Sequence, residues 1–171
     1  MLGQEAKYVE AEAEIRPVIK LQEKSVGGEN PQTVYTRDTL ADALEGQGKY
    51  AEAEAEYRSL IKLEEKVLGP ENPLTLTSRS GLDKTLLAEG KDAEADMSEV
   101  IKLREKALGP EHPDTLESCY SFASGLKRQN KLQEAREFAR RAAEGARKVL
   151  GPDHPSTRKY EKLLTDLEPK H

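Results

Sequence analysis

Apolar residues in this chain recur at three- and four-residue spacing, in segments separated by short polar breaks. From Pro31 onward, Val34, Arg37, Leu40, Ala41 and Leu44 share one face of a first helix, which Gly46-Gln47-Gly48 breaks. Tyr50, Ala53, Tyr57, Leu60, Ile61 and Val67 then line a second helix from about Tyr50 to Leu68. The pattern returns further on. Leu116, Cys119, Phe122, Ala123 and Leu126 make one stripe, Gln129-Asn130 a turn, and Leu132, Ala135, Ala139, Ala142 and Val149 the next stripe. Small residues on these faces, such as Ala41, Ala53, Ala123 and Ala135, let paired helices approach closely.

The breaks between helix pairs repeat one phrase. Val26-Gly27-Gly28-Glu29-Asn30-Pro31 returns as Leu68-Gly69-Pro70-Glu71-Asn72-Pro73, as Leu108-Gly109-Pro110-Glu111-His112-Pro113 and as Leu150-Gly151-Pro152-Asp153-His154-Pro155. In this phrase a glycine closes one helix in the left-handed region, and in three of the four copies proline forbids continuation. An Asn or His then caps the next helix, with proline at its first position, where the missing N–H costs nothing. Gly27, Gly69, Gly109 and Gly151 are 42, 40 and 42 residues apart. A fixed period of this size marks a solenoid whose units bury their apolar faces only against neighbours.

The 40-residue unit places its deletion in the turn near Gly90-Lys91-Asp92. Two residues lost inside a helix would rotate everything after them by about 200°. Counted back from the next loop, however, Ala93, Met97, Val100 and Ile101 match Ala53, Tyr57, Leu60 and Ile61 in phase. The expected organisation is one array over residues 1–171. It comprises a half-repeat at 5–26, full repeats at 27–68, 69–108 and 109–150, and a half-repeat at 151–168, about seven helices in all. Pro17 lies inside the first helix and is expected to kink it. In the second pair, Gly81 inside a helix and Asp83 at a packing position predict the loosest unit. Terminal half-units predict apolar faces without cover, among them Leu163, Leu164 and Leu167.

Composition narrows the function. Apolar residues make up 36% and charged residues 35%, which suits a thin helical stack with much exposed surface. A net charge of −5 argues against nucleic acid, which requires a basic face. No apolar run approaches the roughly 20 residues that span a bilayer, and the N-terminus lacks the features of a signal peptide. Cys119 is the single cysteine. A cytoplasmic location follows as the expectation.

Gly48-Lys49-Tyr50-Ala51-Glu52-Ala53-Glu54, followed by Tyr57, Leu60 and Ile61, resembles the core of a tetratricopeptide repeat. With Leu108-Gly109-Pro110-Glu111-His112-Pro113-Asp114-Thr115-Leu116, it is similar to the longer repeat of kinesin light chains. The resemblance implies an all-α fold, a right-handed α-solenoid of antiparallel helix pairs. It also implies a concave groove, lined by the first helices, that grips a peptide or a partner's helix. Carried onto this sequence, that face is Tyr35, Asp38, Asp42 and Glu45, then Thr77, Ser80, Lys84 and Leu87, then Glu117, Tyr120, Ser124 and Lys127. The Asn-Asn pair of kinesin light chains is replaced by Asp38-Thr39, Ser80-Gly81 and Tyr120-Ser121.

Other chemistry is not assembled. His112 and His154 stand where Asn30 and Asn72 cap, so they read as caps rather than metal ligands. Gly46-Gln47-Gly48-Lys49 lacks the strand and the Ser/Thr of a phosphate loop. Cys119 lies on an apolar stripe with no His to activate it. No cofactor, metal or catalytic set is implied. The basic segment Lys127-Arg128, Lys131, Arg136 and Arg140-Arg141 reads as a solvated face. The expected function is a non-catalytic scaffold for a protein or peptide ligand, with no nucleic acid and no membrane. An acidic first unit and more basic later ones favour a ligand of opposite polarity. The alternative is self-association through terminal half-repeats, or a segment of a longer array fused to an effector domain.

Overall fold

A computed structural model describes residues 2–168, with side chains from residue 6. Among the described residues the fold is all-α, with helices α1 (Leu2–Ser25), α2 (Pro31–Gly46), α3 (Tyr50–Val67), α4 (Pro73–Ala88), α5 (Glu94–Leu108), α6 (Pro113–Arg128), α7 (Leu132–Leu150) and α8 (Pro155–Asp166). That is eight helices, where the sequence pattern suggested about seven. Four repeated loops and three tight turns break the chain seven times, and seven breaks leave eight pieces. α1 runs through Pro17.

The loops are closed by their own side chains. Gly27, Gly69, Gly109 and Gly151 have φ of 90°, 92°, 97° and 85°, a region that L side chains avoid. Asn30 Oδ1 accepts the Gln32 amide at 2.9 Å and Asn72 Oδ1 accepts the Leu74 amide at 3.0 Å. His112 and His154 do the same through Nδ1, each accepting an amide at 3.2 Å. A second closure went unread in the sequence. Six residues after the first three loop glycines, the buried hydroxyls of Thr33, Thr75 and Thr115 donate to the carbonyls of Gly27, Gly69 and Gly109 at 2.9, 2.9 and 3.0 Å.

The chain divides into two compact units, the first ending at Lys91 and the second beginning at Asp92. In the first, α1 packs on α2, α2 on α3 and α3 on α4, and the first helices α2 and α4 also touch. Leu40, Ala41, Leu44, Ala53, Tyr57, Leu60, Leu76 and Leu86 form its core. In the second, α5 packs on α6, α6 on α7 and α7 on α8, around Val100, Leu116, Cys119, Leu126 and the alanines of α7. The boundary falls in the turn that carries the two-residue deletion. As the phase argument requires, α5 is short at 15 residues against 18 for α3, and Met97, Val100 and Ile101 are buried.

Gly81 has a packing reason. A Cβ there would lie 2.5 Å from Cζ of Tyr57, so the tyrosine ring occupies the space a side chain would need. The glycine that weakens α4 as a helix is what admits the largest fully buried side chain of this unit. Asp83 is buried at its packing position. At the C-terminal end one expectation is corrected. Leu163 and Leu167 are buried, because α8 turns that face onto α7, and Leu164 is half-buried. Exposed apolar side chains include Val9, Val18, Leu21 and Val26 on α1 and the loop after it, and Val67, Leu68 and Leu74 around the next loop.

Candidate functional site

In the first unit the candidate face is carried by α2 and α4. Tyr35 projects from α2 with 66% of its surface exposed, the most accessible aromatic on this face. One turn further along, Asp38 is half-buried and accepts the Ser78 hydroxyl of α4 at 3.1 Å. Burial, and then the neighbouring Asp42 carboxylate, push the Asp38 carboxyl up to about 6. Asp42 is exposed and accepts the Tyr57 hydroxyl at 2.5 Å. Burial, followed by this carboxylate, drives the Tyr57 hydroxyl far above its ordinary pKa. Glu45 and Lys84 pair across the two helices at 2.9 Å. Thr77 is exposed with its hydroxyl on the Pro73 carbonyl at 2.9 Å, and Ser80 is half-buried. Leu87 lies in the core rather than on the face.

In the second unit the face of α6 is engaged by α8. Tyr120 stacks on Tyr160 with ring centroids 4.8 Å apart, and the Lys159 ammonium sits 4.2 Å from the Tyr120 centroid. Glu117 accepts the Tyr160 hydroxyl and pairs with Lys159 at 3.2 Å. Lys127 pairs with Asp166 at 3.2 Å, and the Ser124 hydroxyl returns to the Tyr120 carbonyl at 3.0 Å. Each unit therefore presents a polar face that carries a tyrosine; Glu45, Lys84, Glu117 and Lys127 are held in ion pairs, whereas Asp38 and Asp42 are held by hydroxyls and leave the first unit's face acidic.

The remaining motifs take structural places. Lys49 of the Gly46-Gln47-Gly48-Lys49 turn pairs with Glu12 at 2.7 Å, and Gln47 donates to Glu12 at 2.8 Å. These two bonds, with Arg16, hold the Glu12 carboxyl at about 2. The same contact recurs in register: Lys91 meets Glu54 at 2.6 Å, and Lys131 meets Glu94 at 2.5 Å. In each case 37 residues separate the partners, a spacing that the sequence carries openly and that marks this lysine as a clip from an inter-helix turn to the preceding second helix. Such exposed pairs are individually weak, so the clip sets register more than stability. Arg136 closes the end of α8 by donating to the Leu167 carbonyl at 2.8 Å. Cys119 is buried, and burial pushes its thiol up to about 11, the opposite of an activated nucleophile. Among the described residues no group of three or more His, Cys, Asp or Glu is placed to hold a metal ion, and no helix is long and apolar enough to cross a membrane.

One further repeated contact lies between units of the pattern. Five residues before a loop glycine stand Glu64 and Arg104, and nine after it stand Ser78 and Ser118. Arg104 is buried and donates to the Ser118 hydroxyl at 2.5 Å and to the Asp114 carbonyl at 2.8 Å. Glu64 is also buried, and the Ser78 hydroxyl that bonds Asp38 interacts with its carboxyl as well.

Comparison with known proteins agrees with this geometry. The tetratricopeptide repeat family matches residues 33–74, 84–114 and 115–156. No curated protein matches the chain. Among solved structures, a kinesin light chain-like protein of Podosopora anserina with nearly identical TPR-like repeats is 25% identical. It covers 96% of this chain and 79% of its own, with a TM-score of 0.69. A single-substitution variant of that protein gives a TM-score of 0.70, again at 25% identity, over 96% of this chain and 78% of its own. BtubC (BKLC) of P. vanneervenii, 19% identical over 96% of this chain and 64% of its own, shares the fold with a TM-score of 0.61. With three matched repeats, kinesin light chain-like neighbours and the loop and cap geometry described above, this chain belongs to the tetratricopeptide repeat family, in its kinesin light chain-like repeat type.

Proposed function

We propose that the chain is a non-catalytic, cytoplasmic protein-interaction module whose first-helix faces, on α2, α4 and α6, hold a peptide or helix of a partner. Tetratricopeptide repeats generally mediate protein–protein interaction, which supports the broad class. The observation that carries the finer reading is Tyr35. It is a large aromatic with two-thirds of its surface exposed, on the same helix as the acidic groups Asp38 and Asp42. Exposed aromatics beside charged groups are what partner surfaces bury as anchors.

Selection of peptides from a random display library on the full chain tests this. Tyr35→Ala is expected to weaken the selected peptides at least about tenfold, about 1.4 kcal/mol, while leaving helix content unchanged. Unchanged affinity for every selected peptide would remove α2 from the binding face. A second reading, self-association, draws on the exposed Val9, Val18 and Leu21 of α1. It predicts an apparent mass that rises with concentration, and a constant monomer mass would exclude it.

A further inference from the structure

Glu64 is unusual in its surroundings. It lies near the end of α3 with 2% of its surface exposed, and its Oε2 has no hydrogen-bond partner among the described residues. Burial raises its pKa, and the Asp38 carboxylate raises it further, with only the Ser78 hydroxyl acting the other way. At the matching place in the second unit the chain carries the opposite charge, Arg104, whose Nη1 donates to the Ser118 hydroxyl and the Asp114 carbonyl. The first unit thus has two carboxylates about one serine, where the second unit has a cation.

Glu64 also lines a cleft of about 50 Å³ in the first unit, bounded by Val34 at the start of α2, Leu63 and Val67 at the end of α3, and Leu74 at the start of α4. The volume is a few times what one water requires. The walls are almost wholly apolar, and Val67 and Leu74 are both 48% exposed at the rim. Glu29, the other acid of the lining, is already paired with Lys66 at 2.9 Å.

Three occupants can be compared by chemistry. A purely apolar side chain would dry the cleft further and leave the buried Glu64 carboxyl without a partner, which is unfavourable. A calcium or magnesium ion needs about six oxygen ligands and a zinc ion about four ligands, and these walls offer only Glu64 and Glu29. A side chain with an aliphatic stem and a cationic head satisfies both features, stem against the apolar walls and charge toward the carboxylate.

We propose that this cleft is a docking pocket for a lysine or arginine side chain of a protein partner, with Glu64 as its counter-ion. The pocket is formed by the helix ends next to the repeated loop, apart from the first-helix face, so either site can fail without the other.

The test uses n-pentylammonium as the cationic probe and 1-pentanol as its neutral analogue, titrated into the full chain while backbone amide shifts are followed. The cation is expected to shift Val34, Leu63 to Leu68 and Leu74 and to bind at least tenfold tighter than the alcohol. In Glu64→Gln that preference is expected to vanish. Leu74→Arg changes an exposed rim residue, puts a competing guanidinium at the mouth, and is expected to abolish binding with helix content intact. Equal affinity for cation and alcohol would overturn the proposal. So would a preference that persists in Glu64→Gln, or binding that survives Leu74→Arg.

Discussion

Tyr57→Ala is expected to lower the stability of the first unit by about 3–5 kcal/mol, the range for deleting a large buried aromatic. Tyr57 is 1% exposed, its ring rests on Gly81 of α4 and its hydroxyl is held by Asp42 of α2, so one side chain ties three helices together. The glycine supplies an internal control. In the native background Gly81→Ala forces a Cβ to 2.5 Å from the ring and should destabilise by about 1–3 kcal/mol, although alanine is the better helix former. In the Tyr57→Ala background the ring is gone, and the same change should be neutral or stabilising by up to about 1 kcal/mol. Chemical denaturation of the four proteins measures the coupling. Additive effects would show that Gly81 is not there to admit Tyr57.

Asp38→Asn is expected to stabilise the protein at pH 8 and to flatten its pH dependence. The Asp38 carboxyl titrates near 6 in the fold against an ordinary value of 3.8. A raised carboxyl binds its proton more tightly in the native state than in the unfolded one. Its penalty is therefore full above the native value and is relieved as pH falls from about 7 toward 4. After burial, Asp42 on its own helix raises it further and the Ser78 hydroxyl of α4 opposes both, while Asp38 in turn raises Glu64 of α3. The gain at pH 8 is about 2–3 kcal/mol by the linkage of pKa to stability. Denaturation of the variant and the native protein between pH 5 and pH 8 reads the difference; the raised Glu64 carboxyl changes in the same direction in both, and the Glu12 carboxyl, held near 2, has the opposite sign and loses its contribution only at lower pH. A variant less stable than the native protein at pH 8 would mean that the Ser78 bond outweighs the desolvation of Asp38.

The repeat, the loops and the helix phase were legible because they are local. A glycine at positive φ, an Asn or His cap and a following proline sit within a few residues of one another, and each loop geometry follows from that phrase. The short α5 was legible for the same reason, since helical phase can be counted from Met97 and Val100. Contacts between repeats were harder to read. The lysine clip joins residues 37 apart, and the Glu64–Ser78 and Arg104–Ser118 positions pair a helix end with the helix beyond the loop. Gly81 read as a weakness because its purpose, the Tyr57 ring, comes from another helix. On the candidate face, the resemblance to the repeat family put Tyr35 and Asp42 at positions that are exposed but named Leu87 too, although Leu87 turns into the core. Tyr120 and Lys127 were legible as members of that face, whereas their stacking on Tyr160 and pairing with Asp166 depend on α8, which folds back 40 residues later.

Backbone amide shifts of the full chain, titrated with a peptide selected from a random library, test most directly whether the first helices carry the function. The largest changes are predicted on α2, α4 and α6, around Tyr35, Thr77, Ser80, Tyr120 and Ser124. Changes confined to α3, α5 and α7, with the first helices unmoved at saturation, would contradict the proposed binding face.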